Sequence, residues 1–129
     1  MSEVHPNIAL LQRLDLRDLA ASRHLFAKDV IWHYANPNLP ELQGDYHGVD
    51  GVRTFFEAIS ATSGGSFEVH PVSATPVGNE LVVVQSRNTL AFRGKPVAID
   101  VVVVWRIVDG RIAEVWDIVP GDTREREHA

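Results

Sequence analysis

Residues 97–119 read VAIDVVVVWRIVDGRIAEVWDIV. Two runs rich in β-branched and aromatic residues flank Asp109-Gly110, a dipeptide that favours a tight hairpin turn. The first run holds four consecutive valines before Trp105, which implies a strand covered on both faces. The second places Asp117 among Val115, Trp116, Ile118 and Val119, although strands are normally depleted in aspartate. Side chains alternate across a strand. Val115, Asp117 and Val119 therefore share one face, and Glu114, Trp116 and Ile118 share the other. A carboxylate kept among apolar strand residues calls for a chemical reason.

Working outward from this hairpin, FEVHPVSATPV (67–77) and ELVVVQSRNTLAF (80–92) are two further strand-like runs. Gly-Asn and Arg-Gly-Lys turns separate them from each other and from the hairpin. The first half has a different texture. Ile8, Leu11, Leu14, Leu19, Leu25 and Phe26 recur at helical spacing from Asn7 to Lys28. Asp18 is a candidate N-cap that divides this stretch in two, with Leu19 to Ala27 as the second helix. DVIWHY (29–34) is a short strand. The Pro-, Asn- and Gly-rich ANPNLPELQGDYHG (35–48) reads as loop. Asp50 to Ala61 forms a third helix, with Val52, Phe55, Phe56 and Ile59 on one face and Asp50 as its cap. Helices first and a meander of strands afterwards is the α+β arrangement.

Composition narrows the function. The chain has 129 residues, 45% hydrophobic and 22% charged, with net charge −5; this is the balance of one globular domain with a sizeable core. Basic runs are absent, which argues against nucleic acid and anionic membrane surfaces as partners. No apolar run reaches the length of about 18 residues that a membrane span requires, and no signal-peptide pattern opens the chain. A cytoplasmic location is expected. With no cysteine, disulfides, thiolate catalysis and cysteine-ligated metals are excluded. The six histidines show no metal-ligand spacing, and no phosphate-binding loop is visible. No metal and no cofactor are expected.

The order of elements, together with LFAKDVIWHYANP, GDYHGVDGVRTFFEAI, RGKPVAIDVVVVWRIVDGRI and EVWDIV, resembles the nuclear transport factor two-like superfamily. Within it the chain looks nearest to the SnoaL-like polyketide cyclases and ketosteroid isomerases. The resemblance spans Leu19 to Val119. It implies a curved antiparallel or mixed sheet forming a cone, with three N-terminal-half helices on its concave face. It also implies one SnoaL-like domain over residues 1–129, in which 1–6 and 121–129 are frayed tails. Aligned with the family, Asp117 faces a pocket whose lining includes Trp32, Tyr34, Phe56, Ser86, Asn88, Val103, Trp105 and Val115. These are the expected contacts to a small hydrophobic molecule.

In SnoaL-like cyclases an Asp at the matching place in the last strand moves a proton beside a carbonyl. The resemblance implies the same general acid/base role for Asp117. The ketosteroid isomerase groups do not carry over, because their positions hold Tyr34, Val103 and a residue near Leu10. The Asp-Arg-Asp pattern of limonene epoxide hydrolases is also unmatched. Three readings remain: a cyclase, isomerase or dehydratase acting by proton transfer; a binding module for an apolar ligand; or an interaction protein that uses its sheet. His33 and His47 lie near the expected pocket rim, as a structural or solvated pair. Asp100 is expected on the outer face, paired with Arg87 or Arg106. That convex face also carries Val102, Val104, Trp116 and Ile118, an apolar patch that a homodimer would cover.

Overall fold

A computed structural model describes residues 4–92 and 94–121. The expected tails at 1–3 and 122–129 lie outside the described residues, while Pro6 is already helical. Helix α1 spans Pro6–Gln12, with proline at its start and His5 Nδ1 accepting from the Asn7 N–H at 3.1 Å. It stops before Leu14 because the chain turns there. The Asp15 N–H donates to the buried Ser22 Oγ, and the Arg17 N–H donates to Asp15 Oδ1, a local bond that competes with helix continuation.

Helix α2 is only Leu19–Ser22, capped by Asp18 as expected, with the Ala21 N–H at 3.2 Å from Asp18 Oδ1. A 3-10 turn over Arg23–Leu25 leads directly into strand β1, Phe26–Ala35. The expected helix to Ala27 is therefore corrected. Leu25 and Phe26 are both buried, and adjacent apolar residues satisfy a turn entering a strand as readily as a helix. The stretch read as loop also holds more order than expected. It contains a 3-10 turn at Pro40–Leu42 and an edge strand, β2, at Gly44–His47, which pairs antiparallel with β1.

Helix α3 spans Gly48–Ser63, two residues earlier than Asp50. Asp50 is thus a first-turn acid rather than the cap, and it accepts from Arg23 Nη2 at 2.8 Å. The Gly64 backbone, at φ 63, closes the helix in the left-handed region. Strands β3 (Glu68–Val77), β4 (Leu81–Phe92), β5 (Lys95–Val108) and β6 (Arg111–Ile118) follow as an antiparallel meander. Asp109 and Gly110 link β5 to β6 with φ 53 and 75, the paired positive values that a type I′ hairpin turn demands.

The six strands form one curved sheet in the order β2-β1-β6-β5-β4-β3. β1 and β6 are parallel; every other pair is antiparallel. Irregularities between Phe26 and Ile31, Pro71 and Ser73, and Arg106 and Ile107 break the register. Such bulges bend strands and increase local twist, which supplies the curvature. Phe55 of α3 anchors the helices to the sheet. Its ring centroid lies 4.5 Å from Tyr34, 5.0 Å from Tyr46 and 5.8 Å from Trp32. Burying an aromatic ring of this size contributes a few kcal/mol, on the order of 3 or more.

The opposite, convex face is partly apolar. Val102, Val104 and Trp116 are partly buried there, and Ile118 is 45% exposed. A line of charge crosses the same face. Asp45 Oδ1 lies 2.7 Å from His33 Nδ1, and Glu114 Oε2 lies 2.5 Å from His33 Nε2. Arg106 Nε then donates to Glu80 at 2.9 Å, with its Nη1 3.9 Å from Glu114. Arg106 is therefore engaged by Glu80 and Glu114. Asp100 is exposed on this face, directly opposite Arg87 in the β4–β5 register.

Candidate functional site

Asp117 lies near the end of β6, between Val103 of β5 and Tyr34 of β1. Alternation turns it to the concave face, where it is 9% exposed. A cleft of about 1040 Å³ opens above it. Trp32, Phe56, Ser86, Asn88, Val103 and Trp105 line this cleft with Asp117. The cleft is open to solvent on one side. Its outer wall is built by residues that sequence reasoning did not assign to a site. Ile8, Leu11, Leu14 and Leu16 come from the first 16 residues, Phe67 from just before β3, and Val69 and His70 from its start. The one available signal was the helical spacing of the leucines, which marks an apolar face without saying that the face borders a cleft.

Two expected lining residues stand elsewhere. Val115 is fully buried and borders neither the cleft nor the smaller cavity behind it. Its neighbours in the register are Trp32 and Trp105, so it packs within the sheet's core. Tyr34 faces inward but does not border the cleft, and its ring packs against Phe55 with centroids 4.5 Å apart. There it lines a second cavity of about 30 Å³, shared with Asn36, Asn88 and Asp117 among others. Asn36 Nδ2 donates to Tyr34 Oη at 2.8 Å. His33 and His47 do not line the cleft. His33 stacks on Trp116 on the convex side, with centroids 5.5 Å apart, and His47 is exposed ahead of α3.

Three aromatic rings form the apolar part of the cleft floor. Trp32 meets Trp105 edge-to-face at 5.4 Å and Phe56 at 5.1 Å, an arrangement favoured by the ring quadrupoles. The polar part is small. Ser86 Oγ donates to Asn88 Oδ1 at 3.1 Å, a pairing of two inward residues on β4. Asp117 makes no hydrogen bond of standard geometry among the described residues. Its neighbour is the Trp32 indole, whose Nε1 is a buried donor that likewise lacks a formed bond. The indole still acts on the carboxylate electrostatically and favours its charged form.

Desolvation outweighs that help. Burial penalises the charged carboxylate and pushes the Asp117 pKa up to about 7. Tyr34 is held in its neutral form for the same reason: burial first, opposed by the Asn36 bond and reinforced by Asp117, pushes its pKa up to about 12. On the convex face the His33 pKa is raised. Desolvation lowers it, but hydrogen bonds and charge from Glu114 and Asp45 together prevail. Among the described residues, no three His, Asp or Glu side chains gather as a metal site, and no helix is long and apolar enough to cross a membrane.

A curved six-stranded sheet with three helices and an inward carboxylate defines a nuclear transport factor two-like, α+β fold. Residues 8–115 match the sequence profile of the SnoaL-like domain, and the chain belongs to that family. Similar solved structures bear the fold out. A nuclear transport factor two-like protein of unknown function from Burkholderia pseudomallei is 25% identical, with 99% of this chain and 97% of that one covered and a TM-score of 0.76. TerC, co-crystallised with polyporic acid, is 24% identical over 95% of this chain and 96% of its own, with a TM-score of 0.71. A protein described as a SnoaL-like polyketide cyclase from a Jannaschia species is 19% identical over 100% of this chain and 94% of its own, at a TM-score of 0.70. No curated protein matches the sequence.

Proposed function

We propose that the chain is a cofactor-independent enzyme that transfers a proton on a small apolar carbonyl or hydroxyl compound, with Asp117 as general acid/base. The observation that carries this reading is a buried carboxyl at the floor of an aromatic cleft, with a pKa of about 7. A group of that affinity is part protonated and part ionised near neutral pH, the condition under which one residue both takes and returns a proton. Asp117 removes a proton from the carbon beside a carbonyl. In a cyclase the resulting carbanion attacks a second carbonyl carbon, and the new alkoxide takes the proton back from Asp117. An isomerase returns it to a different carbon; a dehydratase delivers it to a departing hydroxyl. Atoms and electrons balance in each case without a redox partner.

Trp32, Phe56 and Trp105 give the ligand flat apolar walls, Val103 adds an apolar contact, and Ser86 and Asn88 offer the polar contacts that fix its orientation. TerC co-crystallised with polyporic acid and the cyclase-like relative support a small organic ligand in this space. A second reading, a non-catalytic carrier of an apolar molecule, is favoured by the scarcity of polar groups around Asp117. Native mass spectrometry of the purified protein, followed by deuterium exchange on the compound it retains, separates the two. Exchange in the wild type and a loss of roughly two to four orders of magnitude in Asp117→Asn, with binding kept, is the enzyme result. Binding without exchange in the wild type selects the carrier.

The proposal includes a homodimer through the convex face. Val102, Val104, Trp116 and Ile118 form an apolar patch there that the helices do not cover. An isologous contact over this patch would bury roughly 800 Å² per subunit, the area of a standard specific interface.

A further inference from the structure

Asp117 separates two spaces. One is the open cleft, and the other is the cavity of about 30 Å³ behind it. The rear cavity has the dimensions of a single water molecule, which needs at least about 10–15 Å³ and two to four polar partners. Four polar side chains border it: Tyr34, Asn36, Asn88 and Asp117. The other walls, including Phe55, Ile59 and Val101, are apolar.

The hydrogen bonds already made decide which groups remain available. Asn36 is 2% exposed and engaged through each of its polar groups: its N–H donates to Gln43 Oε1 at 2.8 Å, its Oδ1 accepts from the Asn38 N–H at 2.9 Å, and its Nδ2 donates to Tyr34 Oη. Tyr34 Oη is thereby an acceptor, and its own O–H hydrogen is used by no bond among the described residues. The Asp117 carboxyl has the Trp32 indole beside it, and a carboxylate keeps acceptor capacity for a further donor. Tyr34 and Asp117 stand at paired positions on adjacent strands. A buried hydroxyl donor and a buried carboxyl acceptor thus share one water-sized space. A buried polar group short of partners is costly.

We infer that the rear cavity holds one ordered water between the Tyr34 hydroxyl and the Asp117 carboxyl, and that Tyr34 is a positioning residue that sets the proton affinity of Asp117 through it. Tyr34 donates to the water, and the water donates to the carboxylate. Asn36 holds the Tyr34 oxygen so that its hydrogen is turned away from the loop. The bridge stabilises ionised Asp117 from the side the ligand does not occupy. Glu41 and Tyr46 are the other titratable groups that act on Tyr34; neither borders the rear cavity. The importance of this bridge for turnover rests on the acid/base reading of Asp117, whereas the water site itself does not.

The test uses the ligand-free protein. A crystal structure that resolves waters is combined with a carbon-13 NMR titration of the Asp117 carboxyl in wild type, Tyr34→Phe and Val119→Ile. The first variant removes the hydroxyl and keeps the ring under Phe55. The second leaves Tyr34 intact and adds a methylene to a wall of the same cavity, so it carries the test if the first fails to fold. The expected result is one water within hydrogen-bond distance of Tyr34 Oη and Asp117, lost in both variants. The Asp117 pKa should rise in both by about half to one pH unit, the worth of one hydrogen bond. A dry cavity in the wild type, or a pKa unmoved by the variants, overturns the inference. Turnover that ignores Asp117→Asn would instead remove the acid/base reading and leave these two readouts standing.

Discussion

Tyr34 and Asp117 are register partners on the one parallel strand pair of the sheet, β1 and β6. Both turn to the concave side, and both are 9% exposed or less. Of the two, only Asp117 borders the cleft, while both border the rear cavity. The Asp117 charge adds to burial in keeping the Tyr34 hydroxyl neutral.

Asp117 should destabilise the folded protein at neutral and alkaline pH. Its carboxyl titrates at 3.8 in an ordinary setting and at about 7 in the folded state. Between those values the folded chain binds more protons than the unfolded chain, so stability falls as pH rises through that window. Asp117→Asn should therefore match the wild type near pH 4 and exceed it at pH 8, by an amount on the order of a few kcal/mol. Thermal denaturation at the two pH values measures it. Equal melting temperatures at pH 8 would show that the carboxyl pays no desolvation penalty.

His33 should contribute in the opposite sense. Its folded pKa lies above the ordinary 6.5 because Glu114 and Asp45 flank it. Its charge stabilises fully below 6.5, and this contribution disappears as pH rises through the folded value. The site is partly exposed, so the effect is about 1 kcal/mol or less. Loss of the Trp116 stacking in His33→Gln is common to all pH values. The melting temperature of this variant should thus fall further below the wild type at pH 6 than at pH 9.

Val104 sits opposite Trp116 in the β5–β6 register, at the centre of the convex apolar patch. Light scattering at micromolar concentration should give twice the monomer mass of 14.3 kDa. Val104→Glu should reduce it to the monomer, because a desolvated carboxylate without a partner would face its own copy across the axis. A wild-type monomer would refute the dimer.

The strands of the second half were legible because two cues agreed. Turn dipeptides such as Asp109-Gly110 set their ends, and alternation set their faces. Alternation grouped Asp117 with Val115 and Val119, and the resemblance to the family turned that group inward. Strand β2 was hidden for a physical reason. As a four-residue edge strand with Asp45 and His47 exposed, it needs no apolar period. Depth was equally illegible. Alternation placed Tyr34, Val115 and Asp117 on one face, but only the packing of Phe55 and the neighbouring tryptophans decides which of them meets the cleft. Leu11, Leu14 and Phe67 became cleft walls through contacts between distant parts of the chain, which no local pattern encodes.

The central claim is that Asp117 exchanges protons near neutral pH because it is buried at the cleft floor. A carbon-13 NMR titration of its carboxyl carbon, assigned through Asp117→Asn, measures this directly in the ligand-free protein. The account predicts a midpoint of about 7. A midpoint of about 4, the value of a solvated aspartate, would contradict it.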